Sequence, residues 1–253
     1  VDVLPTGRNF YGLDPRCMPT PAAWEYGKQL GDALIEQYIS DEGRYPEAVG
    51  IVFWAGSNMR SHGQCIAELF YLMGVRPVWR RPSQRVCGLE IIPLAELQRP
   101  RIDVTARISG LFRDAVPNAI RWVDQAVRMV RDLEESDEEN YVRKHVLSDT
   151  AWLKEQGETQ ESAWERASVR IFGDPPGVYG AGVADLLESK AWETLDDLAA
   201  VYTRFSGTAY GGDGMARAYD PEVFQRRMAG LDVTVKNEDT RETHMFSSDD
   251  YNA

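Results

Sequence analysis

The continuous apolar run at positions 49–54 constrains the fold of this 253-residue chain more than any other segment. Such a run indicates a strand that is buried on both faces of a sheet. A polar stretch at 55–63 follows, then a helix with apolar residues at i, i+3, i+4 and i+7, and then a strand at 75–79. Strand, loop, helix and strand in this order predict a βαβ unit in a parallel sheet.

Two further strands are predicted at 88–93 and 102–108. Ligands of open α/β sheets bind beyond the carboxyl ends of the strands. We therefore expect the segments 56–62, 80–85 and 109–114 to lie on the side where a site would form.

The second half of the chain is mostly helical. An apolar stripe through Ile120 and Val127 predicts one helix, Thr194 with Asp197 fits a capping box, and Asp220 precedes a proline at a helix start. The acidic run at 132–139 is typical of a solvated loop or helix face. The predicted fold class is α/β, with a parallel βαβ-containing N-terminal half (about 1–115) and a mainly helical C-terminal half (116–253) in one compact unit.

The charge balance argues against several classes of partner. The net charge is −12, which disfavours binding to nucleic acid or to an anionic membrane surface. No apolar run approaches the roughly 20 residues of a transmembrane helix, no signal peptide opens the sequence, and a cytoplasmic location is expected. The three cysteines form no disulfide or zinc pattern. Arginine makes up 23 of the 28 basic residues. This excess of arginine suits the binding of a polycarboxylate ligand, or it reflects the base composition of the genome alone.

Local motifs leave the chemistry open. There is no P-loop and no Gly-x-Ser-x-Gly elbow, and no two histidines have metal-ligand spacing. The glycine-rich stretch at 173–182 fits either a tight turn or a loop that presents amides to an anion. His62 lies in the first predicted βα loop, and His145 is expected to pair with the acidic run. The polar cluster at 237–244 fits a divalent cation site, a proton acceptor or an exposed loop.

Eight segments follow one another along essentially the whole chain, at positions 4–11 (with 14–15), 74–78, 99–104, 109–114, 140–145, 170–173, 179–182 and 247–251. Taken together, they resemble the large subunit of class I metal chelatases, the family of the cobaltochelatase large subunit and the magnesium chelatase H subunit. The segments 58–60 and 107–110 are more similar to the cobalt branch. Family members are several times longer and this sequence begins with Val1, so we expect an internal fragment of such a subunit.

The resemblance implies insertion of a divalent metal into a tetrapyrrole, a ligase reaction that forms nitrogen–metal bonds. ATP would be hydrolysed on separate AAA+ partner subunits, and the remainder of the large subunit would complete the site, so the fragment alone is expected to be inactive. In the cobalt branch the substrate would be hydrogenobyrinic acid a,c-diamide, in cobalamin biosynthesis. The alternatives are magnesium insertion into protoporphyrin IX, or a structural region that docks the AAA+ subunits through 132–139. An unrelated α/β transferase that binds phosphate at 173–182 is a third reading.

The resemblance also suggests candidate site residues, whereas the metal ligands stay unassigned. The candidates for binding substrate carboxylates are Arg8, Arg60, Arg107 and Arg113. Asn58 would orient them or the ring periphery, and Tyr11 and Tyr179 would stack on the macrocycle. The candidates for proton acceptance or transient metal ligation are His62, His145, Glu242 and His244.

Overall fold

The computed structural model describes residues 12–212 and 215–237. Within these residues the chain forms a six-stranded sheet in the order β7-β6-β5-β4-β1-β8 and a separate two-stranded sheet, β2-β3. The strands are β1 (Ala48–Phe53), β2 (Val75–Arg80), β3 (Arg85–Ile91), β4 (Asp103–Ile108), β5 (Ile171–Gly173), β6 (Thr208–Gly211), β7 (Met215–Tyr219) and β8 (Val233–Lys236).

Eleven α-helices connect these strands in the described part of the chain. They are α1 (Pro21–Glu42), α2 (Ala55–Arg60), α3 (Gln64–Met73), α4 (Leu94–Leu97), α5 (Gly110–Ala115), α6 (Pro117–Arg131), α7 (Tyr141–Glu155), α8 (Gln160–Ala167), α9 (Val183–Ser189), α10 (Leu195–Ser206) and α11 (Pro221–Ala229). A short 3-10 helix, Pro15–Cys17, precedes α1. None of the described helices is long and apolar enough to cross a membrane.

The α/β fold class is confirmed, because helices cover both faces of a mostly parallel sheet. Strands β5, β4, β1 and β8 run parallel, whereas β6 and β7 extend the sheet by antiparallel pairing. Strands on both sides of residue 115 therefore belong to one sheet, and the last strand, β8, returns to pair with the first.

The predicted parallel pairing of the strand at 75–79 is wrong. This strand, β2, forms an antiparallel hairpin with β3, while β1 pairs with β4 and β8. Pro77 lacks a backbone N–H, which suits a two-stranded ribbon better than the interior of a sheet. The parallel crossover still exists, but it runs from β1 to β4 and carries the hairpin as an insertion.

Strand β4 separates two chemically different layers. Val104, Ala106 and Ile108 belong to the main apolar core together with α3 and α6. The alternate residues Asp103 and Arg107 are also buried, and they meet charged and polar groups of the helices on the opposite face. The alternation follows from the two-residue period of a strand. It gives the sheet one apolar face and one face with buried ion pairs.

The predicted helix boundaries are confirmed where local caps define them. The Thr20 hydroxyl accepts from the Ala23 amide at the start of α1, and Thr194 with Asp197 forms the predicted capping box of α10. Asp220 caps α11. The expectation of a loop across 55–63 is wrong in part, because α2 occupies Ala55–Arg60. The acidic run is mostly exposed as predicted.

Candidate functional site

The candidate site lies at the carboxyl edge of the parallel strands. Strand β1 leads into α2 there, β4 leads into α5, and β5 leads into the glycine-rich loop at 174–182. Strand β8 ends at the same edge, just before Asn237. Because these four strands are parallel, their carboxyl ends meet, as expected for the ligand side of an α/β sheet. The predicted placement of 56–62 and 109–114 on this side is confirmed.

A buried polar cluster lies between α2, α3 and the end of β8. The Asn58 Nδ2 donates to the Trp54 carbonyl at 2.9 Å, and the Asn237 Nδ2 lies 3.1 Å from the Cys65 Sγ. Two acceptors in this cluster, the Asn58 Oδ1 and the Glu68 Oε2, have no hydrogen-bond partner among the described residues. Asn58 and Glu68 are at most 1% exposed. Buried acceptors without partners carry a free-energy cost, and such groups concentrate at functional sites.

Burial changes the protonation of this cluster. It raises the pKa of Glu68 to about 7, although a hydrogen bond from Asn237 lowers that pKa in part. It also raises the pKa of the Cys65 thiol to about 12, so this thiol stays protonated near neutral pH. A carboxyl with a pKa near 7 can both accept and release a proton under ordinary conditions. Glu68 can therefore change its charge near neutral pH, whereas the Cys65 thiol does not provide a thiolate ligand.

Arg107 projects from β4 into an enclosed ion pair. Its Nη2 lies 2.8 Å from the Asp174 Oδ1 and 3.3 Å from the Ser206 hydroxyl, and its guanidinium lies near the Tyr202 ring. The side chains of Arg107 and Asp174 are 7% and 0% exposed. Its Nε is buried and has no partner among the described residues. Arg107 thus retains one donor, but its charge is already matched by Asp174.

Asp174 also organises the glycine-rich loop. Its Oδ2 accepts from the amides of Gly110 at 2.9 Å and Gly180 at 3.0 Å. A carboxylate of the chain itself therefore already binds one amide of this loop, that of Gly180. The segment does follow a strand, β5, which the sequence did not reveal. The interpretation as a transferase loses support, because this loop amide serves an internal carboxylate.

Arg113 holds the same loop from α5. Its Nη1 donates to the Pro175 carbonyl at 2.7 Å, and its Nε and Nη2 form a bidentate pair with Asp114 at 2.7 and 2.8 Å. The hydrogen bond from Arg113 lowers the pKa of Asp114. Tyr179 is 64% exposed, and its hydroxyl donates to Asp114. The protein's own groups engage Arg113, whereas the Tyr179 ring faces solvent beside it.

Two other predicted residues are exposed at this edge. Arg60 ends α2, and His62 lies in the turn between α2 and α3. His62 has a positive φ of 56°, and its carbonyl accepts from the Thr20 amide at 3.1 Å. An exposed guanidinium and an exposed imidazole therefore flank the buried cluster around Asn58.

His145 lies at the opposite edge of the sheet. Its Nδ1 is 2.9 Å from the Asp103 Oδ2 and its Nε2 is 3.5 Å from Glu47, so the expected pairing with the acidic run is wrong. Strand β4 separates Asp103 from the carboxyl edge by roughly 17 Å, at about 3.3 Å per residue. The structure therefore does not bring His145 together with His62 or Asn58.

Asp103 is the centre of a buried network at that amino edge. Its Oδ1 lies 2.7 Å from the Arg170 Nε, and its Oδ2 pairs with the Arg227 Nη2. All three side chains are at most 6% exposed. Burial by itself would raise the pKa of Asp103, but the two guanidinium groups outweigh it and hold that pKa well below its usual range. A cleft of about 810 Å³ opens beside His145, yet its Arg226 and Arg227 are paired with Asp149 and Asp103. These two arginines of the amino edge are thus engaged by the protein's own carboxylates.

Four predicted residues, Arg8, Tyr11, Glu242 and His244, lie outside the described residues. Within 12–212 and 215–237, no group of three or more His, Cys, Asp and Glu side chains is placed to hold a metal ion. Sequence reasoning missed Glu68 and Asp174. Glu68 follows Ile66 and Ala67 and precedes Leu69 and Phe70, and a lone acid in such an apolar stretch was the signal available.

Comparison with known proteins adds a family to this geometry. The family model described as CobN/Magnesium Chelatase matches residues 1–253. The chain belongs to the CobN/magnesium chelatase family. It is 44% identical over 250 residues to the aerobic cobaltochelatase subunit CobN of a Sinorhizobium species, and 35% identical over 256 residues to the chloroplastic magnesium-chelatase subunit ChlH of rice. These matches cover 99% and 98% of this chain, but only 20% and 18% of the relatives.

A solved structure in the CobN/magnesium chelatase family has the same fold. The catalytic subunit of cobaltochelatase from Mycobacterium tuberculosis superposes with a TM-score of 0.89 and 47% sequence identity. The match covers 97% of this chain and 20% of that subunit. The chain therefore spans about a fifth of the length of these relatives. The resemblance drawn from the eight sequence segments is confirmed.

Proposed function

We propose that this chain is an internal part of the large subunit of a metal chelatase and forms one wall of its tetrapyrrole site. The observation that carries this proposal is the full-chain likeness, at 47% identity, to a solved cobaltochelatase catalytic subunit. The carboxyl edge supplies suitable chemistry beside it, namely the exposed Arg60 and His62 and the buried Glu68.

Cobalt is the favoured metal substrate. Identity is 44–47% with the cobaltochelatase proteins and 35% with the rice magnesium-chelatase subunit. The tetrapyrrole would then be hydrogenobyrinic acid a,c-diamide, whose free carboxylates suit arginine. ATP would be hydrolysed on AAA+ partner subunits, and the reaction would be the ligase type that forms nitrogen–metal bonds. Magnesium insertion into protoporphyrin IX is the alternative.

Glu68 is the proposed proton acceptor at this wall. Metal insertion requires the macrocycle to lose pyrrolic protons, so the site needs a base whose pKa lies near the working pH. Burial raises the pKa of Glu68 to about 7, and its Oε2 has no partner among the described residues. In this proposal Arg60 binds a peripheral carboxylate. His62 is a second candidate for the proton.

The experiment is a titration of the full-length subunit with hydrogenobyrinic acid a,c-diamide, with protoporphyrin IX in parallel, followed by absorbance. We expect saturable micromolar binding of the corrinoid and weaker binding by Arg60→Ala. Arg204→Ala, which removes an exposed arginine on α10, is the matched control and should bind as wild type does. Failure of the wild-type subunit to bind either macrocycle would refute the assignment.

The docking alternative rests on the acidic run at 132–139, which is mostly exposed between α6 and α7. A charge reversal of Glu134, Asp137 and Glu138 to lysine separates the two readings. If that variant binds the macrocycle normally but no longer couples to the ATPase activity of the partner subunits, the segment is a docking surface. If both properties are unchanged, this segment takes no part in docking.

A further inference from the structure

A cleft with five arginines opens between the hairpin tip, the 3-10 helix and the start of α6. Its volume is about 580 Å³. The arginines that line it are Arg16, Arg80, Arg81, Arg85 and Arg121. None of its lining residues in the described part of the chain is an aspartate or a glutamate. Such a concentration of positive charge stands out in a chain whose net charge is −12.

Most of this charge is not neutralised by the protein. Asp14 is the carboxylate that pairs with two of these arginines. Its Oδ1 lies 2.8 Å from the Arg16 Nε, and its Oδ2 lies 2.8 Å from the Arg85 Nε. Arg121 donates to the neutral amide oxygen of Asn118. Arg80 and Arg81 are exposed and make no side-chain ion pair within the described residues. The arginines of the network around Asp103 are matched by buried carboxylates, whereas Arg80, Arg81 and Arg121 are available to an external anion.

The floor of the cleft is partly apolar. Val86 is buried, and Trp122, which also lines the cleft, is half-buried. A small inorganic anion would use the guanidinium groups but leave this floor uncovered. A ligand that has an apolar or aromatic body and several carboxylates satisfies both surfaces, because arginine binds carboxylates in a bidentate manner and stacks on π-systems. The volume lies within the usual range for small-molecule sites.

The cleft adjoins the candidate site. Helix α3 runs from the carboxyl edge of the sheet to the amino edge, and β2 returns in the opposite direction, so the hairpin tip points back towards the carboxyl edge. The Trp79 Nε1 of β2 donates to the Pro19 carbonyl at 2.8 Å, and the next residue, Thr20, donates its amide to His62. This chain of contacts joins the cleft to the exposed turn at His62.

We infer that this cleft binds the peripheral carboxylates of the tetrapyrrole, with Arg80, Arg81 and Arg121 as the principal contacts and Trp122 beneath the macrocycle edge. The inference rests on the proposed function and adds to it a specific carboxylate-binding surface. Sequence reasoning placed 80–85 on the ligand side, but it chose other arginines for this role. An acidic peptide of a partner protein is the competing occupant.

The test compares two corrinoids that share a macrocycle but differ in charge. In cobyrinic acid the peripheral acetate and propionate groups are free carboxylates, whereas in cobyric acid most of them are amides. Binding of each to the full-length subunit is measured by absorbance titration. The variant is the triple change Arg80→Gln, Arg81→Gln and Arg121→Gln. The matched control is Lys154→Gln, Lys190→Gln and Arg204→Gln, which removes the same charge from exposed positions away from the cleft.

We expect the cleft variant to bind cobyrinic acid about tenfold more weakly, with little change for cobyric acid, and the control to bind both as wild type does. Equal affinity of the cleft variant and wild type for cobyrinic acid would overturn the inference. A cleft variant that binds both corrinoids normally but loses a partner subunit in pull-down would assign the cleft to an acidic peptide. Failure of the wild-type subunit to bind hydrogenobyrinic acid a,c-diamide in the titration given above would instead refute the proposed function, so the two failures are distinguishable.

Discussion

Glu68 is a single residue that lowers the stability of the native fold near neutral pH. Burial raises its pKa from 4.5 to about 7, so folding favours the protonated carboxyl. The unfolding free energy is therefore not reduced by this group below pH 4.5, and it declines as pH rises towards and through 7. We predict that Glu68→Gln raises the unfolding free energy at pH 8, by about 2–3 kcal/mol, and changes it little at pH 4.5. Urea unfolding at both pH values measures this.

The control for this residue is Glu161→Gln, which changes an exposed glutamate on α8. Its effect on the unfolding free energy should be small and the same at both pH values. A gain from Glu68→Gln that does not depend on pH would mean that the native carboxyl titrates normally. The same variant should slow metal insertion, because the proposed proton acceptor is lost although the fold is more stable.

Residue chemistry was only partly predictable from the sequence. The arginine excess and the positions of Asn58 and His62 after the first strand were visible, since they depend on composition and on local pattern. The ion pair of Arg107 was not, because its partner Asp174 is 67 residues away and only the tertiary fold brings them together. The sequence alone does not distinguish an arginine that binds a substrate from one that binds an internal carboxylate.

At the scale of elements, Asp103 joins one strand to three neighbours. From the start of β4 it binds Arg170 before β5, His145 on α7 and Arg227 on α11. Removal of its charge would leave two buried guanidinium groups without this counter-charge. We predict that Asp103→Asn lowers the unfolding free energy by about 3–5 kcal/mol, as expected for a broken buried ion pair. Thermal unfolding monitored by circular dichroism measures the loss.

A matched variant separates charge from packing at this position. Asp114→Asn removes a carboxylate that is 44% exposed and pairs with Arg113, so its cost should be well below that of Asp103→Asn. Equal losses for the two variants would contradict the account in which burial determines the cost.

Gly27 determines how closely α1 approaches α3. A Cβ at this position would lie 2.5 Å from the Ala67 Cβ and 2.7 Å from the Glu68 backbone nitrogen. Alanine is ordinarily the better helix former, by about 1 kcal/mol. Here we predict the opposite sign, with Gly27→Ala lowering the unfolding free energy by about 1–3 kcal/mol because the helices must separate. Gly230→Ala, where the nearest atom is 3.6 Å away, should be close to neutral in the same denaturation assay.

Elements were easier to predict than their pairing. The starts of α1, α10 and α11 follow from a capping side chain and a proline or an acid in the first turn, all within a few residues. The partner of β2 was missed because strand pairing depends on competition among all the strands. Strand β8 occupies the position beside β1, and it arrives about 180 residues later in the chain.

The whole molecule carries carboxyl groups whose pKa values move in opposite directions. At acid pH the relevant groups are Asp103 and Asp232. Burial tends to raise the pKa of Asp232, but Arg44 and the amides of Ala48 and Glu47 outweigh it and lower that pKa. A lowered native pKa gives stability that is present above the unfolded value, 3.8, and is lost as pH falls below it. The raised pKa of Glu68 has the opposite effect, because it lowers the unfolding free energy as pH rises.

These opposing groups predict an optimum of the unfolding free energy between about pH 4 and 5, near the isoelectric point of about 4.8. From pH 4.5 to about 7 the buried Glu68 favours unfolding, and repulsion within an acidic chain adds to this effect as pH rises further. Urea denaturation from pH 3 to pH 9 should trace this profile. Glu68→Gln should flatten the decline between pH 4.5 and 7 and leave the acid side unchanged, whereas Asp232→Asn should reduce the slope below pH 4 alone. A profile in which either variant altered both sides would show that the two groups are coupled through the fold.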